Sequence, residues 1–145
     1  MPVNKREVPR APGERGGTLI EFALVLTVLF MFMFGIIDLS RALYAYHFVG
    51  DAAREGVRFA MVRGSSCKSY PSACPASAAD VQNSVKNVPE GIDPTAVTVT
   101  TTWTPNNNPG SVVNVKVQYS FKFILPFLPK SVLTMTSASQ SVISQ

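Results

Sequence analysis

Apolar positions fall into three successive regimes along this chain. From Thr18 to Ile37 they run nearly unbroken, and between Phe22 and Ile37 no residue carries a charge. About 20 such residues at ~1.5 Å each span the ~30 Å of a hydrocarbon layer, so the first regime predicts a transmembrane helix. Beyond Ile37 the repeat changes to steps of three and four, at Leu39, Leu43, Tyr46, Gly50, Ala53, Val57 and Ala60, which form one helix face. No proline appears before Pro71, so the helix is expected to run from Gly17 to about Arg63. Asp38 and Arg41, Asp51 and Arg54, and Glu55 and Arg58 stand at i,i+3 spacing, where opposite charges meet.

The third regime has period two. Val97, Val99 and Trp103 alternate with Thr98, Thr100 and Thr102, then Val113, Val115, Val117, Tyr119, Phe121 and Phe123 alternate with Asn114, Lys116, Gln118, Ser120 and Lys122. These are strands with one wet face. A third, weaker strand is expected over Val132–Ile143, after the break at Leu125-Pro126-Phe127-Leu128-Pro129. Ahead of the strands, Gly64-Ser65-Ser66 ends the long helix, and Cys67 to Pro75 reads as a loop. Ser77-Ala78-Ala79-Asp80 has capping-box character at the head of a short helix from about Ala78 to Asn87, and Pro89 to Pro94 is a turn-rich break. The predicted fold class is α+β. A long N-terminal transmembrane helix continues into a small head with a short helix and a three-stranded antiparallel β-meander. The expected divisions are a leader at 1–16, the long helix at 17–63 and the head at 64–145.

Charge changes the picture mainly at the amino end. The formal net charge is +4. Lys5, Arg6, Arg10 and Arg15 against Glu7 and Glu14 supply half of it before the apolar run, in a Pro-containing stretch with no apolar period. The remainder is spread too thinly for a stripe that tracks phosphates, so nucleic acid is not an expected partner. Cations beside a span stay cytoplasmic, which puts the carboxyl-terminal part outside. On that outer side Cys67 and Cys74, with six residues between them, read as a disulfide and less well as two free thiols. No metal site or cofactor is expected, because the single histidine, His47, is about 20 residues from the cysteines and zinc takes four ligands. The chain also lacks GxSxG, P-loop and HExxH motifs and paired carboxylates beyond Glu90 and Asp93, so an enzyme is not expected.

One acid breaks the apolar run. A carboxylate near the bilayer centre costs roughly 2.5 to 3.5 kcal/mol, so Glu21 either snorkels at the interface or meets a cation. A cut between Gly16 and Gly17 would make that cation, the new α-amino group of Gly17, with Glu21 as the fifth mature residue. Gly16 followed by Gly17-Thr18-Leu19-Ile20-Glu21-Phe22 and a long apolar run resembles the class III signal of type IV pilins and pseudopilins. The first mature residue would be Gly17 where many pilins have phenylalanine or methionine. The resemblance implies cleavage by a prepilin peptidase on the cytoplasmic face, with Glu21 and Phe22 serving assembly.

Asp51-Ala52-Ala53-Arg54-Glu55-Gly56-Val57-Arg58 narrows the likeness, since it looks like the AAREGxR stretch of TadE-like minor pseudopilins of the tight-adherence (Tad/Flp) pilus. There Arg54, Glu55, Gly56 and Arg58 form the helix motif, although the charges alone also fit a solvated face. Tyr119, Phe121 and Leu125 to Pro129 are similar to a further stretch of that family. The implied partners are the peptidase, other pilins or pseudopilins, the Tad assembly machinery and membrane lipid. The implied place is the cytoplasmic membrane, with the head periplasmic or extracellular. Two other readings stand beside it. One is a secreted protein cut near Ser40-Arg41-Ala42, which Glu21 and the uninterrupted helix face oppose. The other is an unprocessed single-span adhesin or sensor, which differs only in the chemistry of Gly16 to Glu21.

Overall fold

The computed structural model describes residues 14–68, 73–86, 91–124 and 132–144. The chain divides into two compact units, Met1–Ile37 and Asp38–Gln145. Helix α1 covers Glu14–Met61. In the first unit its large apolar side chains face outward, from Leu19 at 70% exposure to Phe30 at 44%. Its most apolar window has mean hydropathy 2.5 with nothing buried, so this helix is long and apolar enough to cross a membrane. The Thr27 hydroxyl donates to the Ala23 carbonyl at 2.7 Å and so brings no unmet polar group into that stretch. The helix starts earlier than the expected Gly17, because two glycines lower propensity by about 1 kcal/mol each without forbidding the helical conformation.

The second unit is an α+β head. After α1 come helix α2 (Ala78–Val85), a single 3₁₀ turn at Pro94–Ala96, and strands β1 (Val97–Thr104), β2 (Val112–Phe121) and β3 (Leu133–Val142). The strands form one antiparallel sheet in the order β1-β2-β3, the meander that the period-two pattern predicts. Val99 pairs with Val117 across β1 and β2, and Phe121 pairs with Leu133 across β2 and β3. Val113, Val115, Val117, Tyr119 and Phe121 are all buried, while Thr98, Thr100, Thr102 and Lys116 face water. On β3 the inward positions include Ser137, Ser139 and Ser141, which explains its weak pattern: this edge of the core is lined with hydroxyls, one of which contacts Met61 Sδ at 3.4 Å.

Local chemistry sets the element ends. The capping box at α2 is complete: the Asp80 N–H donates to Ser77 Oγ at 3.3 Å, and the Ser77 N–H donates back to Asp80 Oδ2 at 2.9 Å. The Ser77 hydroxyl, donating to Asp80 Oδ2 at 2.6 Å, and then the Ser77 N–H hold the Asp80 carboxyl below its ordinary pKa. Strand β1 begins at Val97, because Asp93 accepts the Thr95 hydroxyl at 2.7 Å and its N–H at 2.9 Å and draws the preceding residues into the 3₁₀ turn. Helix α1 stops at Met61, two residues before the expected end. The Arg63 N–H turns back to the Ala60 carbonyl at 3.1 Å, tightening the last turn. Met61 O then accepts the Ser144 N–H at 2.9 Å, tying the helix end to the chain beyond β3. The expectations for Met1 to Gly13, Asn87 and Leu125 to Pro129 lie outside the described residues.

The buried stripe of α1 is displaced from the expected face. Asp38, Ala45, Val49, Ala52, Ala53, Gly56, Val57 and Ala60 are buried, whereas Leu39, Leu43 and Tyr46 are 69%, 56% and 63% exposed. The lower half of the expected face holds. The upper half is off by one residue, about 100° of helix rotation. Size is the reason: a helix lies close to a sheet where its side chains are small, and the stripe that does so here is mostly Ala, Gly and Val.

Candidate functional site

The residues singled out from the sequence occupy two separate places. Gly16, Gly17, Glu21 and Phe22 lie in the first turns of α1, all exposed. A Cβ built on Gly16 or Gly17 would have nothing within 4 Å, so neither glycine is there for packing. Among the described residues no side chain pairs with Glu21. An acid, two open glycines and an outward apolar surface thus share one helix end, and no described side chain pairs with the acid.

The second place is the Arg54–Arg58 segment, and here the structure separates its members. Arg54, Glu55 and Arg58 are exposed. Arg54 reaches Asp51 at 3.5 Å with both side chains over three-quarters exposed, a pair that contributes little. Glu55 and Arg58 do not pair, because at i,i+3 spacing in open water the attraction does not offset the ordering of two long side chains. Gly56 is buried against two elements. A Cβ there would stand 3.0 Å from Val115 Cγ1 of β2 and 3.0 Å from Val85 Cγ2 of α2. The motif's glycine is therefore a packing residue, and its charges are a solvated face.

Residues 16–58 match the family model described as TadE-like protein. The chain carries a TadE-like segment. It takes in both places just described, from Gly16 through Glu21 to Arg58, and stops before α2 and the sheet. Comparison with curated proteins and with solved structures gives no match.

Beyond the TadE-like segment, Cys67 and Cys74 form a disulfide, with Cα atoms 5.7 Å apart, in the loop before α2. His47 is exposed on α1, edge-on to the Tyr46 ring at 6.0 Å. No cluster of His, Cys, Asp and Glu among the described residues could hold a metal ion.

Asp38 is the residue that sequence reasoning undervalued. Read as half of a surface pair, it is 3% exposed. Its carboxylate accepts Arg41 Nη1 at 2.9 Å and the backbone N–H of Ile124 at 3.0 and 3.3 Å. Arg41 in turn lies over the Phe121 ring, 5.3 Å from its centroid. This explains why β2 ends at Phe121 and not Phe123: the Ile124 amide is drawn to the helix instead of the ladder. The signal for it was present, since Asp38 falls on the small-residue stripe with Ala42, Ala45, Val49 and Ala52.

Proposed function

We propose that the chain is a minor pseudopilin of the Tad/Flp type, cut by a prepilin peptidase between Gly16 and Gly17 and acting in assembly of the pilus, as part of the filament or as an assembly factor. The role is not catalytic. The observation that carries this reading is the TadE-like match over a helix that opens with two unpacked glycines and a Glu21 that pairs with no described side chain. Each glycine weakens the helix by about 1 kcal/mol, and the first turn lacks half its hydrogen bonds in any case. The Gly16–Gly17 bond is thus the easiest to present to a peptidase in extended form.

Two variants test it. Gly16→Ala introduces no clash and improves helix propensity, so the fold is expected to persist while processing by a co-expressed prepilin peptidase is lost. Mass spectrometry of the amino terminus decides: a wild-type chain beginning at Gly17 supports the proposal. One beginning near Leu43 supports secretion, and an intact one supports the unprocessed anchored adhesin or sensor.

Glu21→Gln keeps the shape and removes the charge. In lipid a carboxylate and an ammonium attract strongly because water no longer screens them, while each alone is costly. Cutting after Gly16 is expected to continue, and co-purification with other pilus subunits to fall by about tenfold, the equivalent of ~1.4 kcal/mol. Wild-type recovery at native abundance would leave Glu21 as an acid tolerated near the interface.

A further inference from the structure

Among the described residues, strand β3 is hydrogen-bonded on one side only, because the sheet runs β1-β2-β3 and ends there. It pairs with β2 in unbroken register from Leu133 to Val142, so no bulge twists the free edge away. From Val132 to Gln145 there is no charged residue and no proline, the residues with which proteins usually blunt such an edge. Every second residue of β3 therefore presents an N–H and a C=O to the outside, at the spacing of a strand. The group that satisfies such a row is another extended backbone. The opposite edge differs, since α2 packs beside β1.

Helix α1 runs along the free edge. Tyr46, His47, Gly50, Asp51 and Arg54 line a groove of about 210 Å³ together with Thr136 and Ser137 of β3. Further along both elements, Met61 O accepts the Ser144 N–H and Ser141 Oγ lies 3.4 Å from Met61 Sδ. Helix and strand thus advance side by side in the same direction. At ~100° per residue, Leu43, Tyr46, Gly50 and Arg54 fall on one flank of α1, the flank beside β3. Leu43 and Tyr46 are 56% and 63% exposed there. A Cβ on Gly50 would meet nothing within 4 Å, so the glycine leaves a notch next to the edge.

Charge and shape narrow the occupant. The two charged side chains on the groove, Asp51 and Arg54, meet one another at 3.5 Å, and β3 adds none, so the complement is an uncharged stretch. An added strand turns alternate side chains toward Leu43, Tyr46 and the notch at Gly50, and apolar ones fill that space. The β3 strand of a second copy does not suit, because it offers Ser137, Ser139 and Ser141 to that side.

We propose that the free edge of β3 and the adjoining flank of α1 take up an extended segment of another protein, uncharged and apolar at alternate positions, as a fourth strand of the sheet. Backbone hydrogen bonds supply the affinity, and the groove beside Tyr46 and Gly50 selects the inward side chains. A segment of roughly six residues buries less than the ~1,200 Å² of a stable complex, so the contact is weak and reversible. It belongs to the head and does not depend on processing at Gly16.

The test titrates the full, isotope-labelled chain in detergent micelles with the peptide acetyl-TVTVTVT, carrying a Gly-Gly-Lys-Lys tail for solubility. Amide shifts are expected to move along Leu133–Val142 and to stay in place along Val97–Thr104. Gly50→Leu fills the notch, meets no neighbour and improves helix propensity, so the head keeps its melting temperature while peptide affinity falls by at least about tenfold. The same peptide N-methylated along its backbone keeps the side chains but not the hydrogen bonds, and is expected not to bind. No shift at about millimolar peptide, shifts on β1 instead of β3, equal binding of the methylated peptide, or unchanged affinity in Gly50→Leu would each overturn the proposal. A dimer of the full chain that Gly50→Leu dissolves would give the edge to a second copy and overturn the assignment to another protein.

Discussion

Gly56→Leu is expected to unfold the head while leaving the spanning part of α1 helical. The glycine is not there for backbone freedom, since it lies in mid-helix. It is there for room, because Val115 Cγ1 and Val85 Cγ2 would each be 3.0 Å from even a single added carbon, with Val81 Cγ1 at 3.6 Å. Val81 and Val115 are completely buried and β-branched, so neither swings aside by changing rotamer at small cost. For Gly56→Ala, the gain of about 1 kcal/mol in helix propensity opposes an overpacking cost of ~1–3 kcal/mol, and a net loss of roughly 1 kcal/mol is expected. Leucine adds three more carbons to the same gap, and a loss above ~4 kcal/mol consumes most of a typical stability of ~5–15 kcal/mol. Pulse proteolysis of the full chain in detergent, followed by near-ultraviolet dichroism of Trp103, reads the difference. Arg54→Ala and Glu55→Ala, on the exposed side, should move stability by less than about 0.5 kcal/mol. Wild-type resistance in Gly56→Leu would mean that α1 does not lie on β2 and α2 as described.

The order of these effects inverts what the motif suggests on paper. In Arg54-Glu55-Gly56-Val57-Arg58 the charged residues attract the eye, and pattern reasoning assigns them either a recognition role or a wet surface. Spacing alone could not show that the glycine faces two valines from different elements, because that contact depends on how closely α1 approaches the sheet. By contrast, period two was enough for the sheet: Val113 to Phe121 alternate so cleanly that strand, inward face and wet face all follow. The capping box was legible for the same reason, since Ser77 and Asp80 act locally. What pattern misplaced was the upper half of the helix face, where large Leu39, Leu43 and Tyr46 outweighed small Ala42, Ala45 and Val49. A hydrophobicity count rewards size, whereas close packing of a helix on a sheet rewards its absence.

A consequence of that misplacement is that Asp38 went unrecognised, and its removal is the second large effect expected. Asp38→Ala takes away the acceptor of the Ile124 N–H and the partner of Arg41 together. An amide left without an acceptor costs about 1–3 kcal/mol, and a charge-assisted bond is at the upper end of that range, so a loss of roughly 2–3 kcal/mol is expected. Arg41→Gln should cost less, under about 1 kcal/mol, because 41% of the Arg41 side chain is already open to water and the carboxylate keeps its backbone donor. Asp38→Asn retains one oxygen for the Ile124 amide but not the charge, and should fall between the two. Stability alone would not distinguish this bond from general packing, so the decisive measurement is hydrogen exchange at the Ile124 amide. Exchange there should accelerate strongly in Asp38→Ala, moderately in Asp38→Asn and hardly at all in Arg41→Gln, while the amides of Val113 to Val117 in mid-strand change only as far as global stability does. Unaltered protection of Ile124 in Asp38→Ala would show that the chain leaving β2 is held by something other than this carboxylate. The graded result would instead establish that the first charged residue beyond the apolar run is the point at which the sheet is tied to the helix.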